Sequence, residues 1–315
     1  MGVPGVNLPD DPIQAQPTYG AALAAFERLP AVRVLFDNGA GGATPGAPFA
    51  AFERSFARFP PPTMRARSWY LAARGALTDS RPTTTGADGF TWDPHARPRT
   101  SFTGDTSGGP GGLWTATPTY HWQPNPAGTA LSYVTSPLAS NTAVVGAGAL
   151  QAWIRSSSPS VDLQVTVSEV RPDGRESFVQ NGWLRTSLRK LDPGKSTLLA
   201  PVPSLRRSDA APLPRGRFAE VTVPLYYEGH VYRIGSRIRI TIAAPGGDQP
   251  AWAFRDTVPR GRTSVALAHS RALPSRLLLP VVAGIDVPTG LPPCPGLRGE
   301  PCRPYQPSVN RAGRR

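Results

Sequence analysis

Residues 236–243, SRIRITIA, alternate strictly, with Ile238, Ile240 and Ile242 on one side and Arg237, Arg239 and Thr241 on the other. The same period of two runs through LQVTVSEV (163–170), where Leu163, Val165 and Val167 oppose Gln164, Thr166 and Ser168. In FAEVTVPLY (218–226) it sets Val221, Val223 and Leu225 inward. Side chains of a strand point to opposite faces in turn, so these runs predict strands with one buried and one wet face. ALQAWIRS and RLLLPVV add two further strands, and PDG (172–174) and PGG (245–247) supply turns. Many short alternating runs from about residue 131 onward predict a mainly β chain built as an antiparallel sandwich. Each strand buries three or four large apolar side chains, worth about 1.5–3 kcal/mol apiece before chain entropy is charged against them. A charged residue at position 240 is therefore expected to do far more harm than one at position 239.

The first third of the chain reads differently. GAALAAFERL (20–29) has helical spacing, with Leu23 and Phe26 on one face, and Pro30 stops it. AVRVLF (31–36) is a short buried strand ending at the Asn38–Gly39 turn, and SWYLAARG (68–75) is a second. This segment is too small for a domain and reads as the last elements of a larger α/β unit. Val32, Val34, Leu35 and Phe36 are then expected to leave an unpaired apolar edge and poor solubility. Residues 78 to about 130, rich in Thr, Gly, Pro, Asp and Ser, read as a long linker. No internal repeat is evident.

Composition supports short strands over long helices, with 38 prolines and 32 glycines in 315 residues. The net charge of +13 invites a nucleic-acid reading, but the arginines are scattered and Lys190 and Lys195 are the only lysines. Compositional bias explains that charge better, and no nucleic-acid partner is expected. No apolar run reaches the 18 residues of a membrane span, and MGVPGVNLPDDPIQ lacks the features of a secretory signal. The expectation is a soluble chain with no membrane partner and no visible address, cytoplasmic by default. Cys294 and Cys302, in CPGLRGEPC, are the only cysteines, and either a small disulfide or two free thiols fits them. Neither His nor a second Cys pair accompanies them, so no metal and no cofactor is expected.

Residues 131–190 resemble the start of the C-terminal sandwich in Xaa-Pro dipeptidyl-peptidases and cocaine-esterase-like serine hydrolases. The resemblance rests on SYVTSPL, a strand after Gly148, Asp162 heading LQVTVSEV, the PDG turn, and Gly182, Leu184, Arg185 and Arg189 in GWLRTSLR. GHVYRIGSRIRITIAAPGG (229–247) and RLLLPVV (276–282) are similar to later strands of that domain, although Ser236 stands where the family often has His. Upstream, AVRVLFDNGAG, SWYLAARGAL and FTWDPHARP are similar to the connection that leaves the family's α/β-hydrolase domain. The resemblance implies a jelly-roll (galactose-binding-like) β-sandwich preceded by a remnant of an α/β-hydrolase domain. It divides the chain into the remnant (1–77), a linker (78–130), the sandwich (131–290) and a Pro/Arg-rich tail (291–315).

Members of that family hydrolyse amide or ester bonds with a Ser–Asp–His triad whose serine sits in a G-x-S-x-G elbow. This sequence holds no G-x-S-x-G, so no catalytic residue is assigned. The resemblance implies a non-catalytic part of a dipeptidyl-peptidase or acyl esterase. Its partner would be an upstream α/β-hydrolase domain, and a small acyl or peptide substrate would be handled only by the full enzyme. GDTSGGPGG (104–112) imitates the serine loop of trypsin-like proteases, but the inserted Thr106 spoils the spacing around Ser107 and no partner histidine and aspartate match. His95, His121, His230 and His269 read as structural or exposed. Within the resemblance, Leu113 and Trp114 would be candidate walls of a substrate pocket, against the plainer reading that they dock the linker. A carbohydrate- or ligand-binding module without catalysis, and a truncated gene product, are the alternatives.

Overall fold

The computed structural model describes residues 10–101, 112, 115, 118–248, 259, 261–295 and 300–312. Helix α1 (Tyr19–Glu27) precedes a hairpin of β1 (Val32–Asn38) and β2 (Ala50–Phe56). Next come β3 (Met64–Ala72), β4 (Ala76–Thr78), β5 (Ala87–Trp92), β6 (Ala130–Thr135), β7 (Thr142–Gly146) and β8 (Ala149–Ser156). A long hairpin of β9 (Asp162–Val170) and β10 (Arg175–Arg185) leads to β11 (Ala219–Pro224), β12 (Glu228–Tyr232) and β13 (Arg237–Ala243). The last strands are β14 (Thr263–Ala268), β15 (Arg276–Val282), β16 (Cys302–Pro304) and β17 (Arg311–Ala312).

The hydrogen-bonded path runs β16-β10-β9-β13-β6, crosses through β4, and continues β3-β15-β8-β14-β5-β17. It folds back so that Val165, Val167, Ile238, Ile240 and Ile242 share one core with Leu150, Ile154, Leu277 and Leu279. This is a β-sandwich, and among the described residues every pairing of strands is antiparallel except that of β4 with β6. The alternation in the sequence sets this core directly: Ile238, Ile240 and Ile242 are all fully buried.

The N-terminal third is more deeply built in than the sequence suggested. β3 pairs with β15 from Arg276↔Tyr70 to Val282↔Met64, and β5, within the segment read as a linker, pairs with β14. The apolar edge expected at 32–36 does not occur, because β2 pairs along the whole of β1. Phe36 stacks on Phe52 at 5.0 Å, and both pack with Val145, Val231 and Val282 in a second core. Only Leu35, on the opposite side of the hairpin, stays about half exposed. The hairpin lies so close to β12 that a Cβ on Gly229 would fall 2.4 Å from Val34 Cγ1.

The expectation of one wet face also needs correcting. Gln164, Thr166, Ser168 and Arg239, read as the solvent side, are all buried. The C-terminal segment and the residues after β5 cover them. Glu176 accepts from Ser168 Oγ (2.7 Å), Arg239 (3.0 Å) and Arg303 (2.9 Å). The Arg303 guanidinium lies 3.7 Å from the Trp122 ring, and Asn310 bridges Ser132 N and Asp88. Asp248 accepts from Arg97, Gln164, Thr166 and, at 2.6 Å, Trp122. Polar side chains can be enclosed here because each carboxylate is matched by several donors.

Candidate functional site

The sequence pointed to Ser107, Leu113 and Trp114, and all three lie outside the described residues. Of their described neighbours, Thr115 N and Oγ1 both donate to the Gly112 carbonyl, at 3.1 and 2.7 Å. His95 is exposed, and its backbone N–H donates to Asp93 Oδ1 at 2.8 Å. His121 is likewise exposed. Cys294 and Cys302 come together with their Cα atoms 5.6 Å apart beside β10.

The other two histidines sit in buried acid–base pairs that sequence reasoning left as ordinary structural positions. His269 Nε2 lies 3.4 Å from Asp88 Oδ1, and Asp88 also accepts from Tyr133 OH at 2.8 Å. The Asp88 hydrogen bond raises the His269 pKa against its burial. His230, on β12, meets Glu169, near the end of β9, with Nε2 3.0 Å from Oε2. Beside them Gln180 donates to Glu228 at 2.7 Å, Arg233 N donates to Glu169 at 3.3 Å, and the Arg233 guanidinium pairs with Asp37.

This second cluster has unusual electrostatics for a sandwich interior. Burial pushes the Glu228 carboxyl up to about 8 and the Glu300 carboxyl up to about 7, against the pull of His230. Burial works to lower His230, but the Glu169 hydrogen bond and the surrounding carboxylates carry it up to about 9. Burial also works to raise Glu169, and its hydrogen bonds and the His230 charge hold it below its usual value. The arrangement can keep a charged imidazole–carboxylate pair inside the fold. Among the described residues no hydroxyl hydrogen-bonds to either buried histidine ring, and His230 and Glu169 lie closed off from solvent. Among the described residues no group of His, Cys, Asp and Glu is placed to hold a metal ion, and no helix is long and apolar enough to cross a membrane.

Comparison with known proteins decides the class of this fold. Residues 24–269 match the model of the X-Pro dipeptidyl-peptidase C-terminal non-catalytic domain. The chain belongs to this family. Over 257 residues it is 30% identical to the Mycobacterium bovis protein named "Putative serine esterase Mb1866c", covering 78% of this chain and 38% of that protein. The chain thus spans well under half the length of the curated relatives it matches. Its fold is similar to that of a CocE/NonD family hydrolase from Staphylococcus aureus, with TM-score 0.56 and 17% identity over 73% of this chain and 39% of the other. It is also similar to an aminopeptidase from the marine sediment archaeon Thaumarchaeota archaeon, with TM-score 0.52 and 15% identity over 74% and 39%. The chain is thus a non-catalytic C-terminal module of a serine hydrolase family.

The residues that carried the resemblance have structural roles in this domain. Asp162 and Arg185 stand directly opposite each other at the ends of β9 and β10 and close a two-pronged pair at 2.7 and 2.9 Å. Arg189 ties the following turn to the Ala211 and Pro212 carbonyls. A Cβ on Gly182 would lie 2.1 Å from the Pro224 carbonyl oxygen, so β10 and β11 can cross only over glycine. Ser236, at the position where the family often has His, is fully buried in the turn before β13.

Proposed function

We propose that this chain is the jelly-roll sandwich that covers an upstream α/β-hydrolase catalytic domain, with helix α1 facing that domain and β1–β3 and β5 belonging to the sandwich. Small acyl or peptide substrates would be hydrolysed by the full enzyme alone. The observation that carries this reading is apolar surface concentrated around the N-terminal third. Helix α1 buries none of its residues, with Tyr19 82% and Phe26 59% exposed. Leu35, Phe59, Tyr226 and Tyr227 are also exposed, and Phe59 and Tyr227 lie 6.0 Å apart. A largely apolar helix with no buried side chain has no tertiary reason to stay folded unless something covers it.

The test is hydrogen exchange on this chain with and without the catalytic domain of a full-length family member added in trans. Amides of α1 and of Tyr226–Tyr227 should gain protection, and unchanged exchange there sinks the proposal. The chain alone should not cleave p-nitrophenyl butyrate or an Xaa-Pro p-nitroanilide. Within this reading Leu113 and Trp114 wall the substrate pocket, so replacing both with alanine in the full enzyme should alter kcat/KM between substrates. We also assign a disulfide to Cys294 and Cys302, to be checked by the absence of titratable thiol before reduction.

A further inference from the structure

Both ends of the hydrogen-bonded path through the sheet are strands of one short segment, residues 300–312. At one edge β16 pairs with β10 around Glu176↔Arg303. Phe178 N and Tyr305 N extend that pairing, donating to the Pro301 carbonyl at 2.9 Å and the Gly174 carbonyl at 3.0 Å. At the other edge β17 pairs with β5 through Arg311↔Gly89 and Ala312↔Asp88. Between the two edges the segment crosses the polar outer face of the sandwich, where its groups are answered one by one. Arg303 donates to Glu176 at 2.9 Å and lies on the Trp122 ring. Arg239 donates to the Gln306 carbonyl at 3.3 Å and to Ser308 Oγ at 3.0 Å. The Asn310 amide accepts from Ser132 N at 2.9 Å and donates to Asp88 at 3.2 Å.

Two features set this segment apart from the other strands. Residues 300–310 bury no large apolar side chain, and Val309 is 90% exposed, so the apolar core does not depend on them. The groups that receive the segment also have partners without it: Glu176 keeps Ser168 and Arg239, and Asp88 keeps Tyr133. The sandwich therefore builds the groove before the segment enters. An extended peptide that adds to a sheet edge takes affinity from its main-chain hydrogen bonds and specificity from its side-chain contacts, and a preformed groove lowers the cost of binding. We propose that this groove is a recognition site for an extended peptide carrying Arg and, seven residues further on, Asn. Residues 300–312 fill it in cis, and the same segment supplied in trans can take their place. The site needs no catalytic domain and is tested on this chain alone.

The probe is a fluorescent synthetic peptide of residues 300–312, and the readout is its anisotropy. The receptor is the full chain with a site for a sequence-specific protease inserted after Pro295, purified folded and cleaved only then. Cys302→Ser in both chain and peptide removes the bond assigned to Cys294, so that only the groove holds the segment. The peptide should bind the cleaved chain saturably, and about tenfold or more tighter than the uncleaved chain, whose own segment competes at high effective concentration. Arg303→Ala or Asn310→Ala in the peptide should each weaken binding about tenfold, the loss expected when a charged or doubly bonded group is removed. These two changes lie in the peptide and leave the folding of the chain untouched. Equal binding of a peptide of the same composition in scrambled order overturns the site. So does an absence of saturable binding to a cleaved chain that keeps its cooperative thermal transition. Loss of that transition on cleavage shows that the segment is an integral part of the fold, and overturns its exchange.

Discussion

The two faces of β9 and β13 are both buried, but by different physics. On the inner face Val165, Val167, Ile238, Ile240 and Ile242 exclude water by packing against β8 and β15. On the outer face Gln164, Thr166, Ser168 and Arg239 are enclosed by residues 300–310 and by Arg97 and Trp122, and charged hydrogen bonds hold that cover in place. An apolar face tolerates any partner of suitable shape. A charged one tolerates only a partner that answers each group, because an unmatched buried charge costs several kcal/mol. The outer face is therefore the more specific of the two and the easier to break from a distance.

Substitutions rank the two faces. Ile240→Asp places a carboxylate with no partner in the inner core and should abolish folding, seen as loss of a cooperative thermal transition. Glu176→Ala leaves Arg239 and Arg303 buried without their shared carboxylate and should cost about 3–5 kcal/mol in urea unfolding. Its consequence should be local as well, since proteolysis should begin in residues 300–312. If Glu176→Ala were instead neutral while the tail stayed protected, the charged cover would be incidental. Gly182→Ala, which sets a Cβ against the Pro224 carbonyl, should cost about 1–3 kcal/mol by pushing β11 off β10.

The acid–base cluster around His230 gives a pH signature that the apolar face cannot. Glu228 and Glu300 hold their protons to about 8 and about 7 in the fold against 4.5 as the usual value, so stability should fall as pH rises through that interval. His230, raised from 6.5 to about 9, contributes stability that is complete below 6.5 and is lost on the way to 9. All three groups act in the same direction. Tm should therefore decline from about pH 4.5 to 9, the two carboxyls acting from the start and the histidine joining above 6.5, and Glu228→Gln should flatten the decline. Glu169, held below its usual value, acts oppositely, so its contribution disappears only in acid. A Tm that is flat across this interval would show that the cluster is not charged as described. The smallest effect belongs to the surface: Arg33→Ala, which removes an exposed pair with Glu53, should change stability by under about 1 kcal/mol.

Much of the sandwich was legible in the sequence because a period of two in strong β-formers states which side chains face inward. Resemblance at Asp162, Gly182, Arg185 and Arg189 likewise led to the right family. β2 was missed, since AAFERSF has only Phe52 and Phe56 as large apolar residues and Arg54 interrupts their alternation. The enclosure of Arg239 was missed because it depends on residues 303–308, more than sixty positions away, and no local pattern records such a partner.

By itself, then, the sequence determined the strongly alternating strands, the apolar side of each of those, and membership of a non-catalytic hydrolase module, because periodicity and local motifs are properties of neighbours along the chain. Tertiary structure alone decided which polar faces are wet and which acids share a histidine. Those outcomes depend on dielectric and distance in space, and both are set by strands that meet from far apart in the chain.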